Sequence, residues 1–280
     1  SLQVSTFNAG PAAVEALFSR AVDAAYIGPN PAINAFVRSE GEAIRIVSGA
    51  TSGGAALVVR PTITGAEGLR GKKLATPQLG GTQDVALRHW LKSQGLQTDV
   101  RGGGAVSVAP QENAQILETF RTGRIDGGWV PEPWATRMVQ EAGGKVLVDE
   151  ASLWPGGRFV TTHLVVRTEF LDRHPDAVRR LIQGQVEADR FVNANPAEAQ
   201  GVANRGIEKV TGKKLPESLV QAAWRNLTFT NDPIASSLPA SAVRANDLGF
   251  LDKVDLDGIY DLALLNEVLA GGGVPTVAAT

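Results

Sequence analysis

The sequence predicts an α/β protein built from two similar lobes. Strand-like and helix-like stretches alternate along the chain, which is typical of α/β sheets. A short helix–turn–strand unit also occurs twice, at an offset of 103 residues. The length of 280 residues exceeds the roughly 100–200 residues of one domain, which again favours two lobes.

The predicted strands are short runs rich in Val, Ile and Ala, bounded by Gly, Pro, Asn or Asp. Because helices separate most of them, we predict mostly parallel pairing. The predicted strands cover residues 2–7, 24–27, 44–48, 55–59, 73–75, 105–109, 126–130, 145–148 and 160–166.

The predicted helices show apolar residues at helical spacing between these strands. Pro11 and Pro175 suit first helical turns, and Gly123 follows a helix as a C-cap would. Residues 175–270 are nearly all helical, so we predict a helical C-terminal region. The predicted helices cover residues 11–19, 33–39, 82–94, 113–122, 134–142, 175–193, 196–211, 217–226, 239–248 and 256–270.

The repeated unit consists of a helix, a tight turn, an aspartate and a strand that ends in an aromatic residue. The first copy runs from Glu15 to Tyr26 and the second from Glu118 to Trp129. A proline-rich turn follows each copy. We interpret the two copies as equivalent units of two lobes.

The composition excludes several classes of function. The 27 basic and 29 acidic residues leave no positive excess for nucleic acid. The absence of Cys excludes disulfides, thiol nucleophiles and cysteine-bound metal centres. The chain has three His residues, none of them four residues apart, and it lacks the glycine-rich cofactor and nucleophile motifs. We therefore predict no catalytic residues, no metal and no cofactor.

Polar, glycine-rich turns form the candidate ligand site. Turns 8–11, 28–31, 80–84 and 131–134 lie between a predicted strand and helix, and turn 48–54 lies between two strands. Ligands of open α/β sheets bind beyond the carboxyl ends of strands, and free N–H groups at a helix start favour an anion. The alternative is a purely structural role for each turn. The candidate ligand-binding residues are Asn8, Gly10, Pro29, Asn30, Ser48, Ser52, Gly53, Gln78, Gly81, Thr82, Glu132 and Trp134.

The segment from Leu74 to Asp84, together with that from Glu132 to Arg137, resembles the solute-binding proteins of ABC importers for nitrate, sulfonates and taurine. The aliphatic sulfonate-binding branch is the most similar. The resemblance implies a type II periplasmic binding protein fold, in which two crossovers join two α/β lobes around a ligand cleft. Mapped onto this chain, lobe one would comprise residues 1–70 and 163–280, and lobe two residues 71–162. It also implies that an N-terminal strand and helix of lobe one are missing.

The same resemblance implies an extracytoplasmic binding protein, in the periplasm or on the outer face of the cytoplasmic membrane. As a monomer without enzymatic activity, it would capture an aliphatic sulfonate or similar small organic anion for an ABC permease. Trp134 would cover the organic tail of the ligand, or pack in the core. Glu132 would cap a helix or bind an ammonium group. The alternatives are an enzyme on this fold, similar to a thiamine-pyrimidine-precursor synthase, and the sensing domain of a regulator.

Overall fold

The strands form two separate sheets in the computed structural model, which describes residues 2–279. Within these residues the strands are β1 (Ala24–Ile27), β2 (Ile44–Gly53), β3 (Ala55–Val59), β4 (Lys73–Thr76), β5 (Ser107–Pro110), β6 (Gly127–Pro131), β7 (Lys145–Asp149), β8 (Val160–Arg167) and β9 (Leu227–Phe229). The lobe-one sheet has the order β1-β8-β2-β9, and the lobe-two sheet the order β5-β4-β6-β3-β7. The predicted α/β class with two lobes is therefore confirmed.

The prediction of mostly parallel pairing is wrong for the lobe-one sheet. Strand β8 lies between β1 and β2 and runs antiparallel to both, and β2 and β9 are also antiparallel. The reason is that β8 returns from lobe two in the opposite direction and takes the central position. The lobe-two sheet is mixed: β4 is parallel to β5 and β6, whereas β3 is antiparallel to β6 and β7.

Helices cover both sheets, and several begin where proline fits the first turn, as in α1 at Pro11 and α7 at Pro175. None of the helices within residues 2–279 combines the length and apolar character needed to cross a bilayer. The helices are α1 (Gly10–Phe18), α2 (Pro29–Arg38), α3 (Thr82–Ser93), α4 (Asn113–Arg121), α5 (Trp134–Gln140), α6 (Thr168–Arg173), α7 (Pro175–Ala194), α8 (Pro196–Thr211), α9 (Glu217–Trp224), α10 (Leu238–Asp247) and α11 (Ala263–Gly271).

Several predicted elements differ from the structure, most clearly one strand and two helix starts. Residues 2–7 form no strand, and Leu2 and Val4 are exposed there. Helix α2 begins at Pro29 rather than at residue 33, and α11 begins at Ala263 rather than at residue 256. An alternating sequence alone does not make a strand, because its backbone groups need a partner edge.

The chain passes from the lobe-one sheet to the lobe-two sheet before β3, earlier than the predicted division at residue 70. Strand β3 pairs with β6 and β7, so it belongs to lobe two although the division at residue 70 assigned it to lobe one. The first crossover is Gly53–Gly54, where both residues have a positive φ that favours glycine. The second lies between Asp149 and Val160. Lobe one thus comprises residues 2–53 and 160–279, and lobe two residues 55–149.

Each sheet is buried on both faces. Along β3, Leu57 and Val59 belong to one apolar cluster, whereas Ala56 and Val58 belong to another on the opposite face. This alternation follows from the two-residue period of a strand. The double burial explains why the strands have continuous apolar sequences.

Candidate functional site

Helix starts from both lobes meet at the interface between them. Gly28, which precedes α2, lies so close to Thr82 at the start of α3 that a Cβ on Gly28 would collide with Thr82 Oγ1. A Cβ on Gly81 would lie 3.8 Å from Pro11 Cδ at the start of α1. None of these three helices has a side-chain cap. Pro11, Pro29 and Pro31 carry no N–H, so α2 offers only the N–H of Asn30, whereas the first turn of α3 contains no proline and offers its N–H groups to an anion.

A small interlobe cavity lies beside the starts of α2 and α3. Its volume of about 10 Å³ is the space needed by a single water molecule. The lobes are therefore closed on each other in this structure. The cavity is lined by Pro29, Asn30, Thr82, Val85, Ala86, Glu150, Trp154, Phe159, Val160, Ser241 and Arg244.

Glu150 supplies a buried carboxyl group to this cavity. It begins the short 3-10 helix Glu150–Leu153 and is only 2% exposed. The indole Nε1 of Trp129 donates a hydrogen bond to Glu150 Oε2 at 2.8 Å. Burial raises the pKa of Glu150 to about 7, while the Trp129 hydrogen bond and the Arg244 charge act in the opposite direction.

Arg244 and Trp154 form the cationic and aromatic part of the cavity wall. The Arg244 guanidinium lies 3.8 Å from the Trp154 ring centroid, and its Nη2 donates to Leu153 O at 3.4 Å. The Trp154 ring stacks on Phe159 with the centroids 5.3 Å apart. Burial lowers the pKa of Arg244, and the nearby Glu150 partly offsets that effect. An arginine with an ordinary pKa above 12 stays charged under these conditions.

Two buried donors in the cavity wall have no hydrogen-bond partner among the described residues. They are Thr82 Oγ1 and Trp154 Nε1, on side chains that are 7% and 8% exposed. The Trp154 indole also faces Glu150, but outside hydrogen-bond geometry. Asn30, by contrast, is satisfied, since its Nδ2 donates to Ser241 O at 3.1 Å. A buried donor without a partner is costly, so Thr82 Oγ1 favours an acceptor in the cavity, whereas Trp154 Nε1 already has the Glu150 carboxyl beside it.

A larger open groove adjoins the cavity. It has a volume of about 460 Å³ and lies between the second crossover and residues 232–240 of lobe one. Trp154 is the one residue that lines both spaces. Its ring therefore separates the cavity from the solvent-facing groove.

Among the residues predicted from the sequence, Pro29, Asn30 and Thr82 line the cavity. The other candidates in the helix-start turns lie at the lobe contact around it. Asn8 Nδ2 donates to Pro77 O at 3.1 Å across the lobes, and Gln78 Oε1 is buried without a partner. Gly10 packs against Pro31, next to the start of α2.

The predicted turn at residues 48–54 is part of a strand. Ser48, Ser52 and Gly53 belong to β2, and none of the three lines the cavity. Ser48 is buried, and its hydroxyl donates to Gly49 O at 2.7 Å. The segment is extended because β8 and β9 supply hydrogen-bonding partners on both of its edges.

Glu132 and Trp134 also lie outside the cavity lining. Glu132 Oε2 accepts from the Thr136 backbone N–H at 3.1 Å, and Oε1 accepts from Asn226 Nδ2 at 2.7 Å. Glu132 thus caps the first turn of α5 and links the two lobes. The Arg137 guanidinium lies over the Trp134 ring, 4.7 Å from the ring centroid, and the ring packs against an apolar cluster of lobe two.

Sequence reasoning missed Glu150, Trp154 and Arg244 as site residues. Trp154 follows a strand as a single aromatic residue, which is equally typical of the core. Glu150 and Arg244 lie far apart in the sequence, and only the return of the chain to lobe one brings them together.

The cavity lining offers few groups that could react. Among the described residues it contains no histidine, its side-chain hydroxyls are those of Thr82 and Ser241, and its carboxyl group is that of Glu150. His163 is buried in β8, where its Nε2 lies 3.2 Å from Pro233 O. No group of three or more His, Asp or Glu residues within residues 2–279 is placed to hold a metal ion.

Comparison with known proteins places this fold and sequence in a family. Residues 1–207 match the NMT1-like family, which is more than half of the chain. The chain belongs to the NMT1-like family. A relative of this NMT1-like protein is the taurine-binding periplasmic protein of Escherichia coli K12, 28% identical over 193 residues. The match covers 68% of this chain and 57% of that relative's length.

Solved structures support the fold of the NMT1-like protein. One is the alkanesulfonate-binding protein SsuA from Xanthomonas axonopodis pv. citri, bound to MOPS. It matches with a TM-score of 0.70 at 18% sequence identity, and the match covers 88% of this chain and 82% of the SsuA chain. The other is the periplasmic nitrate-binding protein NrtA from Synechocystis PCC 6803, with a TM-score of 0.78 at 16% sequence identity. This match covers 96% of this chain and 80% of the NrtA chain. The predicted type II periplasmic binding protein fold is thus confirmed, and these relatives are named as binding proteins.

Proposed function

We propose that the protein is an extracytoplasmic solute-binding protein that captures a small organic anion for an ABC importer. The observation that carries the proposal is the interlobe cavity, where free helix starts and unpartnered buried donors meet. The relatives named for taurine, alkanesulfonate and nitrate support an anionic ligand, and we take aliphatic sulfonates as the first candidates. Its permease partner, monomeric state and periplasmic location belong to the same proposal.

The cavity wall suits an anion that stays ionised. A sulfonate cannot be neutralised by protonation near neutral pH, so it needs dipoles and donors that already point toward it. Asn30 in α2 and the first turn of α3 supply backbone N–H groups, and Thr82 Oγ1 and Trp154 Nε1 supply side-chain donors. Arg244 adds the positive charge.

Ligand entry requires the lobes to separate. The closed cavity of about 10 Å³ is too small for ethanesulfonate. Two crossovers, at Gly53–Gly54 and between Asp149 and Val160, join the lobes and are the natural hinge. A ligand that contacts both lobes would favour a state in which the lobes close around it, with a larger cavity than this one, by its differential affinity for that state.

The experiment is ligand identification followed by calorimetry. Native mass spectrometry of the purified protein should show a co-purified small anion, and ethanesulfonate should bind with one-to-one stoichiometry. Replacing Thr82 by Val, which exchanges the unpaired hydroxyl for a methyl group, should weaken binding at least tenfold, since a hydrogen bond to a charged group is worth about 1.5–3 kcal/mol. Thr62→Val, at an exposed threonine away from the cavity, is the matched control.

Incubation with ethanesulfonate should yield no new compound by NMR. Product in excess of protein would contradict the proposal and favour an enzyme on this fold. Failure to bind ethanesulfonate, taurine, nitrate and sulfate would also contradict it.

A further inference from the structure

We propose that Glu150 meets the bound anion as a neutral carboxylic acid, so that capture of an anion in the interlobe cavity takes up a proton. This inference rests on the proposed function and assigns a specificity role to a residue of the same cavity. In its acid form, Glu150 donates a hydrogen bond to the ligand instead of repelling it.

The position of Glu150 would make its carboxylate a neighbour of the bound anion. Glu150 lines the same cavity as Thr82, whose hydroxyl has no partner among the described residues, and as Trp154, whose Nε1 faces the Glu150 carboxyl. An anion that binds to these donors would therefore lie beside the carboxyl group, which lines the same cavity. Two adjacent negative charges in a buried site cannot both persist, and the carboxylate is the one that can accept a proton.

The available positive charge is sufficient for one anion only. Apart from Glu150, Arg244 on α10 is the charged residue of the cavity lining. Arg244 can balance a bound sulfonate or an ionised Glu150, but not both. Asp149, the preceding residue, further disfavours ionisation of Glu150. His89 on α3 lies near Arg244, Lys92 and Asp247, and burial lowers its pKa, so it adds no charge above neutral pH.

The environment already shifts Glu150 toward the acid form, relative to an exposed glutamate, before any ligand binds. Burial raises the pKa of Glu150 to about 7, although Trp129 Nε1 donates a hydrogen bond to Oε2. A bound anion would raise this pKa further. At a pH between the free and bound pKa values, each binding event must therefore take a proton from solvent.

The test is calorimetric titration of the wild-type protein with ethanesulfonate between pH 6 and 9. Buffers such as Tris and bis-tris propane, which carry no sulfonate and differ in ionisation enthalpy, are required. We expect an uptake approaching one proton above pH 7, and an affinity that falls up to tenfold per pH unit. This measurement needs no variant, so it does not depend on the folding of one.

Glu150→Gln keeps the size of the side chain and removes its titration. Its affinity for ethanesulfonate should be independent of pH over the same range, whereas His89→Gln should keep the wild-type pH dependence. Wild-type binding without proton uptake, or a full pH dependence in Glu150→Gln, would overturn the inference and leave the proposed function intact. No binding of ethanesulfonate, taurine or sulfate at any pH would overturn both.

Discussion

Asp84 and Arg88 form a fully buried ion pair within one turn of α3, with Arg88 Nε 3.0 Å from Asp84 Oδ2. The same carboxylate accepts from the Gly80 backbone N–H at 3.0 Å and from Thr76 Oγ1 at 2.7 Å. Asp84 therefore ties the end of β4 and the turn before α3 to the helix itself. This fixes the direction in which Thr82 presents the helix start to the cavity.

Replacing Asp84 by Ala should strongly destabilise the protein. The change leaves the Arg88 charge buried without its partner, which typically costs about 3–5 kcal/mol. Denaturant unfolding measures the loss. Glu118→Gln, in the exposed pair of Glu118 with Arg121, should cost no more than about 1 kcal/mol. Similar losses in the two variants would contradict the structural role of Asp84.

His163 should make the protein less stable in acid. Burial lowers the pKa of His163 from 6.5 to about 4, so the unfolded chain binds its proton more readily than the folded chain does. Stability should therefore decline as the pH falls from about 6.5 to 4, by about 3 kcal/mol in total, since one pKa unit corresponds to about 1.4 kcal/mol. His163→Gln should lack this contribution when unfolding free energies are compared across that range. An unchanged pH slope in the variant would contradict the prediction.

Glu150 should act on stability in the opposite direction. Its pKa is raised from 4.5 to about 7 in the folded protein, so folding favours the protonated form. The contribution is fully present below pH 4.5 and is lost as the pH rises through 7, again about 3 kcal/mol. Unfolding of the ligand-free wild type and Glu150→Gln between pH 4.5 and 7.5 measures it. A wild type that gains stability relative to the variant as the pH rises would show the sign to be wrong.

Gly28→Ala should prevent the lobes from closing fully. The new Cβ would collide with Thr82 Oγ1 across the interface. We expect a larger radius of gyration by solution scattering with ethanesulfonate present, and at least tenfold weaker binding. Gly184→Ala is the control, because a Cβ there meets no atom within 4 Å and α7 should gain about 0.5–1 kcal/mol of stability. Unchanged closure in Gly28→Ala would contradict the tight contact.

Trp154 and Trp134 provide a matched pair of tryptophans. Trp154 lines the cavity, whereas Trp134 packs on Arg137 and lobe two. Trp154→Ala should weaken ethanesulfonate binding by about 1–3 kcal/mol through lost aromatic contact and a lost donor. Trp134→Ala should leave the calorimetric affinity unchanged. The reverse result would restore the sequence-based expectation that Trp134 covers the organic tail.

Local signals in the sequence were sufficient to predict where many of the helices and strands begin and end. The predicted bounds of β1 and β3 agree with the structure, and α7 begins at its predicted proline. The composition of residues 48–53 is typical of a turn, yet these residues extend β2 because β8 and β9 flank them. Pairing between distant strands overrides local propensity, and a single sequence contains no direct record of it.

The same limit applies to the site. Thr82 and Asn30 could be predicted because a helix start after a strand has a local signature. Arg244 lies in the middle of a helix with no motif, and Glu150 follows β7 in a segment without a distinctive pattern. Their chemistry depends on mutual burial, which only the packing of the two lobes creates.

The central position of β8 has a consequence for the order of folding. The five strands of lobe two pair with one another inside the continuous stretch 55–149, so that lobe can complete its sheet as soon as it has been synthesised. Strands β1 and β2 must wait for β8, which emerges only after all of lobe two. Until then their apolar edges lack a partner and are open to association with other chains. A nascent chain of this protein is thus most vulnerable to aggregation before residue 167 leaves the ribosome.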